Sequence, residues 1–279
     1  MSNSIEQSLV EVADDVVALP LARRLAALLD RDPSELSEGQ PLPRGWHVML
    51  FNVPTRQSQL RADGAAHLGV TLPDIGLPRL MLGGRDVVFD GDIPIGAHVR
   101  RESRQGDVQI KAGRSGRFAL VKVEHLIRIE GALRPVVRET NSYVMREAAA
   151  TPAGKIAAAP AWVPSPHADA ISSIVPDERM LFRYSAITDN PHRIHYDLAY
   201  AKGAEAYPAL VVNGSIPAMF LLELFRRVAG REPVSISSRN LAPMFCGQPL
   251  TLCARADGAM WRLWAQDEHG NPTFDAQAT

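Results

Sequence analysis

The sequence predicts an α+β protein built as two halves, each combining helices with an antiparallel sheet. Short segments in which apolar and polar residues alternate, separated by glycine-containing turns, recur over residues 86–144 and again over 234–278. This pattern is typical of antiparallel strands. A stretch rich in alanine and proline, residues 147–166, lies between the two series and favours a linker. The expected organisation is a first domain over 1–146, a linker over 147–171 and a second domain over 172–279.

In the first half, apolar spacing predicts one helix and the alternating segments predict the strands. Residues 16–30 place leucines and alanines at helical intervals, with Pro20 in the first turn, where its missing amide hydrogen costs nothing. Turns are expected at Gly91, over 113–116 and at Gly131. The predicted strands of this half are 86–90, 98–103, 108–112, 118–130 and 133–144.

The second half is dominated by a largely apolar helix predicted over residues 215–228. Gly214 precedes it, Pro217 lies in its first turn and Gly230 follows its end, which are ordinary start and stop signals. A helix with so few polar positions must be surrounded by other structure on most sides. The other predicted elements are strands over 180–185, 234–240, 249–257, 259–267 and 273–278, a loop over 186–196, a short helix over 197–202 and an apolar run over 209–212.

Composition and charge argue against several classes of function. The chain has 279 residues, of which 46% are hydrophobic and 22% charged, and its formal net charge is -1, so no general attraction to nucleic acid or to an anionic membrane is expected. It lacks a signal-peptide pattern and an apolar run of the roughly 18 residues that cross a bilayer, and we expect a cytoplasmic protein. Cys246 and Cys253 are then expected to be reduced. Nucleotide-binding fingerprints and metal-ligand spacings are absent from the sequence, so neither a cofactor nor a metal is expected.

The candidate chemistry is concentrated in residues 182–215, where a polar loop with two histidines leads to an apolar run and then to the apolar helix. His195 is the favoured acid/base residue because imidazole exchanges protons near neutral pH. A loop histidine bonded to backbone is the alternative. Gly214 opens the helix, so free amides and the positive end of the helix dipole can polarise a carbonyl oxygen there. The alternative is that Gly214 only permits close packing.

Four polar residues around this histidine have separate expectations. Asn190 can orient a water molecule or a thioester but cannot accept a proton. Asp189 can accept one, although its Thr-Asp-Asn-Pro context is also an ordinary turn sequence. His192 is expected to line the pocket or orient its neighbour, since Pro191 and the lack of a carboxylate partner argue against a metal pair. Asp197 is most simply a helix cap.

Residues 182–215 resemble the hydratase motif of the MaoC-like, R-specific enoyl-thioester hydratases of the hotdog fold. That motif runs Ser-Gly-Asp-x-Asn-Pro-hydrophobic-His-x-Asp, with a glycine opening the central helix further along the chain. Aligned in this way, the family's catalytic histidine, catalytic aspartate, asparagine and oxyanion glycine correspond to His195, Asn190, His192 and Gly214.

The departures from that motif resemble a subgroup, the fungal-type mitochondrial hydroxyacyl dehydratases and the bacterial mesaconyl-CoA and itaconyl-CoA hydratases. The segments that carry this resemblance are 185–197 and 207–214 in the second half, and 41–47, 83–85 and 113–116 upstream. The resemblance covers nearly the whole chain. It implies a double hotdog of two antiparallel sheets, each wrapped around a central helix, with the active site in the second half and a degenerate site in the first.

The resemblance also implies reversible hydration of an enoyl-CoA, in which the coenzyme is part of the substrate. His195 would handle the proton of the attacking water, Asn190 would position that water, and the amide of Gly214 would polarise the thioester carbonyl. The expected substrates are short, branched dicarboxylyl thioesters, mesaconyl-CoA or itaconyl-CoA, hydrated to citramalyl-CoA in itaconate-type catabolism.

The free carboxylate of such a substrate needs a cation, which Arg183, Arg193 or an arginine of the first half can supply. Tyr207 and Asn213 are further candidates for substrate contact, and the resemblance suggests a homodimer. Two other functions stay open. One is a hydroxyacyl-carrier-protein dehydratase, for which a long apolar tunnel and a basic docking patch are expected. The other is a hotdog protein that binds acyl-CoA without catalysis.

Overall fold

The computed structural model describes residues 10–65, 70–113, 116–147 and 167–279. Within these residues the chain forms four α-helices and a sheet of ten strands. The helices are α1 (Leu19–Leu28), α2 (Glu178–Ile187), α3 (Leu198–Gly203) and α4 (Ser215–Ala229). The strands are β1 (Glu11–Val16), β2 (Arg79–Phe89), β3 (His98–Gly113), β4 (Gly116–Ile129), β5 (Val137–Arg146), β6 (Ala170–Ile174), β7 (Ser235–Asn240), β8 (Leu250–Asp257), β9 (Met260–Gln266) and β10 (Pro272–Ala278).

The strands form one antiparallel sheet in the order β1-β3-β4-β5-β2-β7-β10-β9-β8-β6. Read from the opposite edge, the second five strands follow the plan of the first five, so that β1 corresponds to β6, β3 to β8, β4 to β9, β5 to β10 and β2 to β7. The predicted α+β class with two related halves is therefore confirmed. The two half-sheets are joined edge to edge, where β2 pairs with β7.

The seam between the half-sheets depends on a glycine. Gly84 of β2 lies opposite Arg239 of β7, and a Cβ at this position would stand 2.5 Å from the carbonyl oxygen of Ser238. Any side chain there would force the two strands apart. Glycine at this point therefore allows the two halves to share one sheet.

Helix α4 forms the centre of the second half and packs against β8 and β9. Leu221, Leu222 and Phe225 are buried on this helix, and burying side chains of this size contributes about 1.5–3 kcal/mol each. The helix ends at Gly230, which has a left-handed φ of 66° as C-cap. The predicted apolar helix over 215–228 is confirmed.

The predicted strand over 180–185 is wrong, because this segment belongs to α2. Asp177 caps the helix by accepting a hydrogen bond from the amide of Met180 at 2.9 Å. Leu181, Tyr184 and Ile187 are buried at helical spacing, and α2 packs against α1 of the first half. Over so few residues, an apolar segment does not distinguish a strand from a buried helix by its pattern.

Several other elements differ in extent from their predictions. Segments 98–103 and 108–112 form the single strand β3, which continues through an irregularity between Gln105 and Val108. The helix predicted over 16–30 is the shorter α1, since Val16 belongs to β1. The pattern does not predict the edge strands β1 and β6, which have six and five residues.

Strand β5 ends at Arg146 and the next described strand, β6, begins at Ala170. The expected domain bounds of 1–146, 147–171 and 172–279 stay predictions. Most of the predicted linker, residues 148–166, lies outside the described residues. In the part of the chain that is described, no helix has the length and apolar character needed to cross a bilayer. Cys246 and Cys253 are free thiols.

Candidate active site

A cavity of about 440 Å³ lies where the two halves meet. The second half contributes the loop before α3, the start of α4 and the end of β7, and the first half contributes residues of β2 to β5 and of the segment 47–53. A volume of this size is usual for a small-molecule site. Most of the predicted site residues line it, namely Asp189, Asn190, His192, His195, Tyr207, Asn213 and Gly214.

His195 lies on the 3-10 turn Arg193–His195 and is 7% exposed. Its Nδ1 is 2.7 Å from the carbonyl oxygen of Val211. Because a carbonyl can only accept, Nδ1 carries the proton and Nε2 carries the lone pair. Burial lowers the pKa of His195 to about 4, against the Val211 hydrogen bond, which raises it. At neutral pH the ring is therefore uncharged, and its bond to backbone also fixes the tautomer that can accept a proton at Nε2.

Asn190 is held on both sides of its carboxamide. Its Nδ2 donates to Oδ1 of Asn213 at 2.9 Å, and its Oδ1 accepts from the amide of His192 at 3.1 Å. Asn213 in turn donates to Oγ of Ser185 at 3.4 Å. These hydrogen bonds tie the histidine loop to the residue before Gly214, so the loop and the start of α4 are fixed relative to each other.

Gly214 precedes α4 at the point where the helix amides are not yet bonded within the helix. The amides of Gly214 and Ser215 have no hydrogen-bond acceptor among the described residues, whereas the amide of Ile216 donates to the carbonyl oxygen of Asn213 at 2.9 Å. A Cβ on Gly214 would stand 2.9 Å from Oδ1 of Asn240. The glycine therefore permits close packing, and two free amides lie at the positive end of the helix dipole. The predicted role of Gly214 in polarising a carbonyl oxygen stays a prediction.

Three other predicted residues line the cavity in different ways. Asp189 is exposed at its mouth and has a φ of 43°, in the left-handed region that Asp and Asn adopt more often than most residues. The rings of His192 and His195 meet edge to face with centroids 5.5 Å apart, and burial lowers the pKa of His192. Burial raises the pKa of Tyr207. His192 and Tyr207 therefore face the cavity as uncharged groups at neutral pH.

Arg183 and Arg193 do not line the cavity, which corrects the expectation that either contacts the acyl group there. Arg183 is exposed on α2. Nη2 of Arg193 is 2.7 Å from the carboxylate of Asp197, and its guanidinium lies 4.1 Å from the ring centroid of Tyr200. Asp197 also accepts from the amide of Tyr200 at 2.9 Å, so its predicted role as the cap of α3 is confirmed.

A set of polar residues on the inner face of the first half forms the rest of the cavity wall, and sequence reasoning did not identify it. The sheet register brings these residues together, since His125 of β4 lies directly opposite Glu139 of β5. The sequence signal for the cluster is a charged residue at a position of an alternating strand that faces inward. Which positions face inward can be assigned only when the register of the sheet is known. The first-half cluster consists of His47, Arg85, Arg101, His125, Glu139, Asn141 and Tyr143.

Glu139 is the centre of the first-half cluster. Its carboxylate lies 2.7 Å from Nε2 of His47 and 3.4 Å from Nε of Arg85. Burial alone would raise the pKa of Glu139, but Arg85 and the hydrogen bond to His47 outweigh burial and hold the pKa well below its usual range. Burial lowers the pKa of His125 to about 4, and its Nδ1 lies 2.8 Å from Oγ of Ser103. The cluster thus combines an ionised carboxylate with a neutral histidine. Among the described residues, no three His, Cys, Asp or Glu side chains converge to hold a metal ion.

Comparison with known proteins identifies relatives that match most of the chain. The family profile of the hydroxyacyl-thioester dehydratases type 2 matches residues 45–246. Mesaconyl-C(4)-CoA hydratase of Chloroflexus aurantiacus is 37% identical over 267 residues, which cover 95% of this chain and 93% of that protein.

Solved structures share the fold along nearly the whole chain. A MaoC-like dehydratase from Phytophthora capsici superimposes with a TM-score of 0.72 at 14% identity, covering 98% of this chain and 95% of that one. A Mycobacterium tuberculosis protein with a double hotdog fold gives a TM-score of 0.63 at 14% identity, covering 98% and 96% of the two chains. At these identities the likeness concerns the fold alone. The predicted double hotdog is confirmed. Its two half-sheets form one continuous sheet instead of two separate sheets, and the described residues of the first half contain no counterpart of the central helix α4.

Proposed function

The chain belongs to the hydroxyacyl-thioester dehydratase type 2 family and is a hydro-lyase, and we propose that it hydrates an enoyl-CoA reversibly in the cavity that contains His195. The observation that carries the proposal is the presence of two complementary groups in one cavity. His195 is uncharged with its lone pair on Nε2, and the amides of Gly214 and Ser215 are free. The imidazole can take a proton from water, and the amides can stabilise negative charge on a thioester oxygen.

In the proposed reaction, the thioester oxygen accepts hydrogen bonds from the free amides while a water molecule lies beside His195. Nε2 takes a proton from the water as the water oxygen bonds to the β-carbon. The electrons of the double bond move toward the thioester oxygen and give an enolate. The protonated His195 then returns its proton to the α-carbon, so that one water has been added across the double bond and the imidazole is again uncharged.

We propose that Asn190 positions this water without exchanging protons, since a carboxamide does not titrate in the physiological range. The Nδ2 and Oδ1 atoms of Asn190 are each engaged once, with Asn213 and His192, and each can form one more hydrogen bond. An aspartate stands at this position in the MaoC-like motif. Because asparagine replaces that aspartate here, we assign all proton transfer to His195. Asp189, at the cavity mouth, has no step in the proposed reaction.

Among enoyl thioesters we propose mesaconyl-CoA, hydrated to citramalyl-CoA as in itaconate-type catabolism, with itaconyl-CoA as the second candidate. Two observations favour this class over a fatty acyl chain. The Chloroflexus aurantiacus relative is named for mesaconyl-C(4)-CoA. The first-half cluster lines the cavity with charged and polar side chains, which an aliphatic chain would desolvate without replacing their interactions.

The proposal also covers the location, the oligomeric state and the cofactor requirement of the enzyme. We propose that it acts in the cytoplasm as a homodimer. We propose that the reaction needs no cofactor, since coenzyme A is part of the substrate. Analytical ultracentrifugation of the purified chain tests the dimer directly, since a monomer mass at micromolar concentration would remove that part.

The test of the function is hydration of mesaconyl-CoA and crotonyl-CoA side by side, followed by loss of the conjugated-thioester absorbance. Itaconyl-CoA requires product analysis because its double bond is not conjugated with the thioester. Wild type is expected to prefer mesaconyl-CoA, and His195→Ala is expected to lower kcat by about 10²- to 10⁴-fold. His269→Ala, which removes an exposed histidine, is the matched control and should retain activity.

Each outcome of this assay has a distinct meaning. Preference for crotonyl-CoA that depends on His195 would keep the site and move the substrate to fatty acyl thioesters. Tight binding of all three thioesters without turnover would contradict catalysis and leave a protein that only binds acyl-CoA. Full activity in the His195→Ala variant would show that the proton is transferred elsewhere.

A further inference from the structure

We propose that Arg85, supported by Arg101, binds the free carboxylate of a dicarboxylyl thioester and so selects this class of substrate. The proposal deepens the hydratase function proposed above and rests on it for the nature of the acyl group.

Arg85 and Arg101 are the only Arg or Lys residues of the described chain that line the cavity. The first-half cluster contains one carboxylate, Glu139, which lies 3.4 Å from Arg85. Arg101 has no ion pair or hydrogen bond with any described residue, and its Nε is buried without an acceptor. Within this cluster, two guanidinium groups therefore face one carboxylate.

The other carboxylates of the cavity wall are Asp63, which is paired with Arg61, and the exposed Asp189. Asp15 and Glu11 also act on Arg101, but neither forms an ion pair with it. A ligand carboxylate would supply the missing negative charge, and its attraction is strengthened by the low dielectric of a buried site.

Arg85 is held in place while the end of its guanidinium stays free. Its Nε donates to Oδ1 of Asn141 at 3.0 Å and faces Glu139, whereas Nη1 and Nη2 form no hydrogen bond with the described residues. The side chain keeps 21% of its surface exposed, and the residue lines the cavity. A fixed guanidinium with two neighbouring nitrogens free matches the geometry of a carboxylate.

Arg85 also lies near the proposed catalytic groups. Arg85, Gly214 and Ser215 line the same cavity. The start of α4 is also tied to the strand of Arg85, because Nδ2 of Asn240 donates to the carbonyl oxygen of Leu82 at 3.1 Å and Asn240 lies against Gly214. In mesaconyl-C(4)-CoA the free carboxylate is bonded to the β-carbon. It must therefore bind close to the carbon that takes up water.

Arg101 packs against Phe51, a residue with an unusual backbone conformation. Its guanidinium lies over the ring of Phe51, 5.1 Å from the centroid, and Phe51 has a left-handed φ of 62°, which is rare for a bulky residue. The amide of Phe51 donates to Oδ2 of Asp15 at 2.6 Å and so holds this conformation. Backbone strain of this kind clusters at ligand sites. The aromatic surface supports Arg101 beside the cavity without neutralising it.

The test compares binding of succinyl-CoA and butyryl-CoA by titration calorimetry. These thioesters differ by a carboxylate in place of a methyl group on the β-carbon, and neither has a double bond to hydrate. Wild type is expected to bind succinyl-CoA about 10- to 100-fold more tightly, as a charge-assisted hydrogen-bonded pair implies. Arg101→Gln removes the unpaired charge, and Arg85→Lys keeps the charge but removes the planar fork. Each is expected to reduce the preference at least tenfold.

The control is Arg104→Gln, which removes an exposed arginine of the same strand, paired with Glu124, and should keep the preference. Equal binding of the two thioesters by wild type would overturn the subsite, as would an undiminished preference in Arg101→Gln. If Arg85→Lys fails to fold, Arg101→Gln decides, since it leaves the bonds of Arg85 to Glu139 and Asn141 in place. If mesaconyl-CoA is not hydrated while the preference for succinyl-CoA over butyryl-CoA is intact, the proposed hydratase function is wrong and the carboxylate subsite is still supported.

Discussion

The two halves of the molecule share one strand order but place different structure against the inner face of their sheet. In the second half, the 15-residue helix α4 covers the sheet with apolar side chains. In the described part of the first half, the chain between α1 and β2 forms only short 3-10 turns, such as Trp46–Met49. Where the second half has a helix, the first half therefore leaves room for a cavity.

This difference changes the character of the inner strands. The second-half strands that face α4 carry buried apolar residues such as Leu252, Ala254 and Leu263. The first-half strands carry buried polar residues besides their apolar ones, including His125, Glu139 and Asn141. Such groups are stable inside a protein only when they are paired or reach a ligand. Without such a helix, the described part of the first half presents a polar surface to the cavity, which the proposed catalytic loop also lines.

After the loss of His195, the largest expected effect concerns the start of α4. Gly214→Ala places a methyl group 2.9 Å from Oδ1 of Asn240, so either Asn240 or the helix start must move and the free amides lose their positions. We expect kcat for enoyl-CoA hydration to fall by about 10²-fold, as when an oxyanion donor is lost. Gly230→Ala at the other end of α4 is the control. It should lower stability, because φ there is 66°, without a comparable loss of kcat. Equal losses of kcat in both variants would show that helix stability, not the amides, is responsible.

The second prediction is a dependence of stability on pH that involves one histidine from each half. Burial lowers the pKa of His195 and of His125 from 6.5 to about 4. Between these values the unfolded chain binds protons that the folded protein does not. The free energy of unfolding is therefore fully retained above about pH 6.5 and falls as the pH drops toward 4, by on the order of 3 kcal/mol for each histidine.

Urea denaturation at several pH values measures this slope. His125→Gln replaces one titrating ring with a neutral amide, so the loss of stability between pH 6.5 and pH 4 should shrink by on the order of 3 kcal/mol. A wild-type protein that is equally stable at both pH values would contradict the burial of both rings in their neutral form.

The third prediction separates positioning of water from proton transfer. Asn190→Asp removes the amide that donates to Asn213 at 2.9 Å and introduces a charge near His195. We expect kcat to fall by roughly 10- to 100-fold with little change in KM, since one hydrogen bond of the loop is lost. Steady-state kinetics with mesaconyl-CoA measures both constants. A variant as active as wild type would mean that an aspartate can serve here, as in the MaoC-like motif.

The smallest expected effect compares corresponding helices of the two halves. Asp177 caps α2 through the amide of Met180, whereas Ala18 precedes α1 without a side-chain cap. Asp177→Ala should lower the free energy of unfolding by about 1 kcal/mol, and Ala18→Asp should raise it by up to a similar amount. Thermal unfolding detects both shifts. A loss of stability in both variants would show that capping does not account for the difference between the helices.

The second-half site could be predicted from the sequence because its parts are close together in the chain. His195, Asn190 and Gly214 lie within one segment, and the helix that follows has clear start and end signals. The first-half cluster could not be predicted in this way. Arg85, Arg101 and Glu139 come from three strands that meet only through the register of the sheet, and a shift of one residue would turn each side chain to the other face.

The fold shows the same division between local and distant information. The apolar helix and most strands follow from local periodicity, while α2 has too short a pattern to be distinguished from a strand. The joining of both half-sheets depends on the close approach of β2 and β7 at Gly84. That approach is a property of two segments far apart in the chain, so local patterns carry no sign of it.

The most direct measurement is a crystal structure of the His195→Gln variant with mesaconyl-C(4)-CoA bound. We expect the thioester oxygen to lie about 3 Å from the amides of Gly214 and Ser215, and the free carboxylate to lie on the guanidinium of Arg85. The second half would then hold the reacting atoms and the first half would hold the group that identifies the substrate. An acyl group bound with its carboxylate away from Arg85, or its thioester away from the start of α4, would contradict this division.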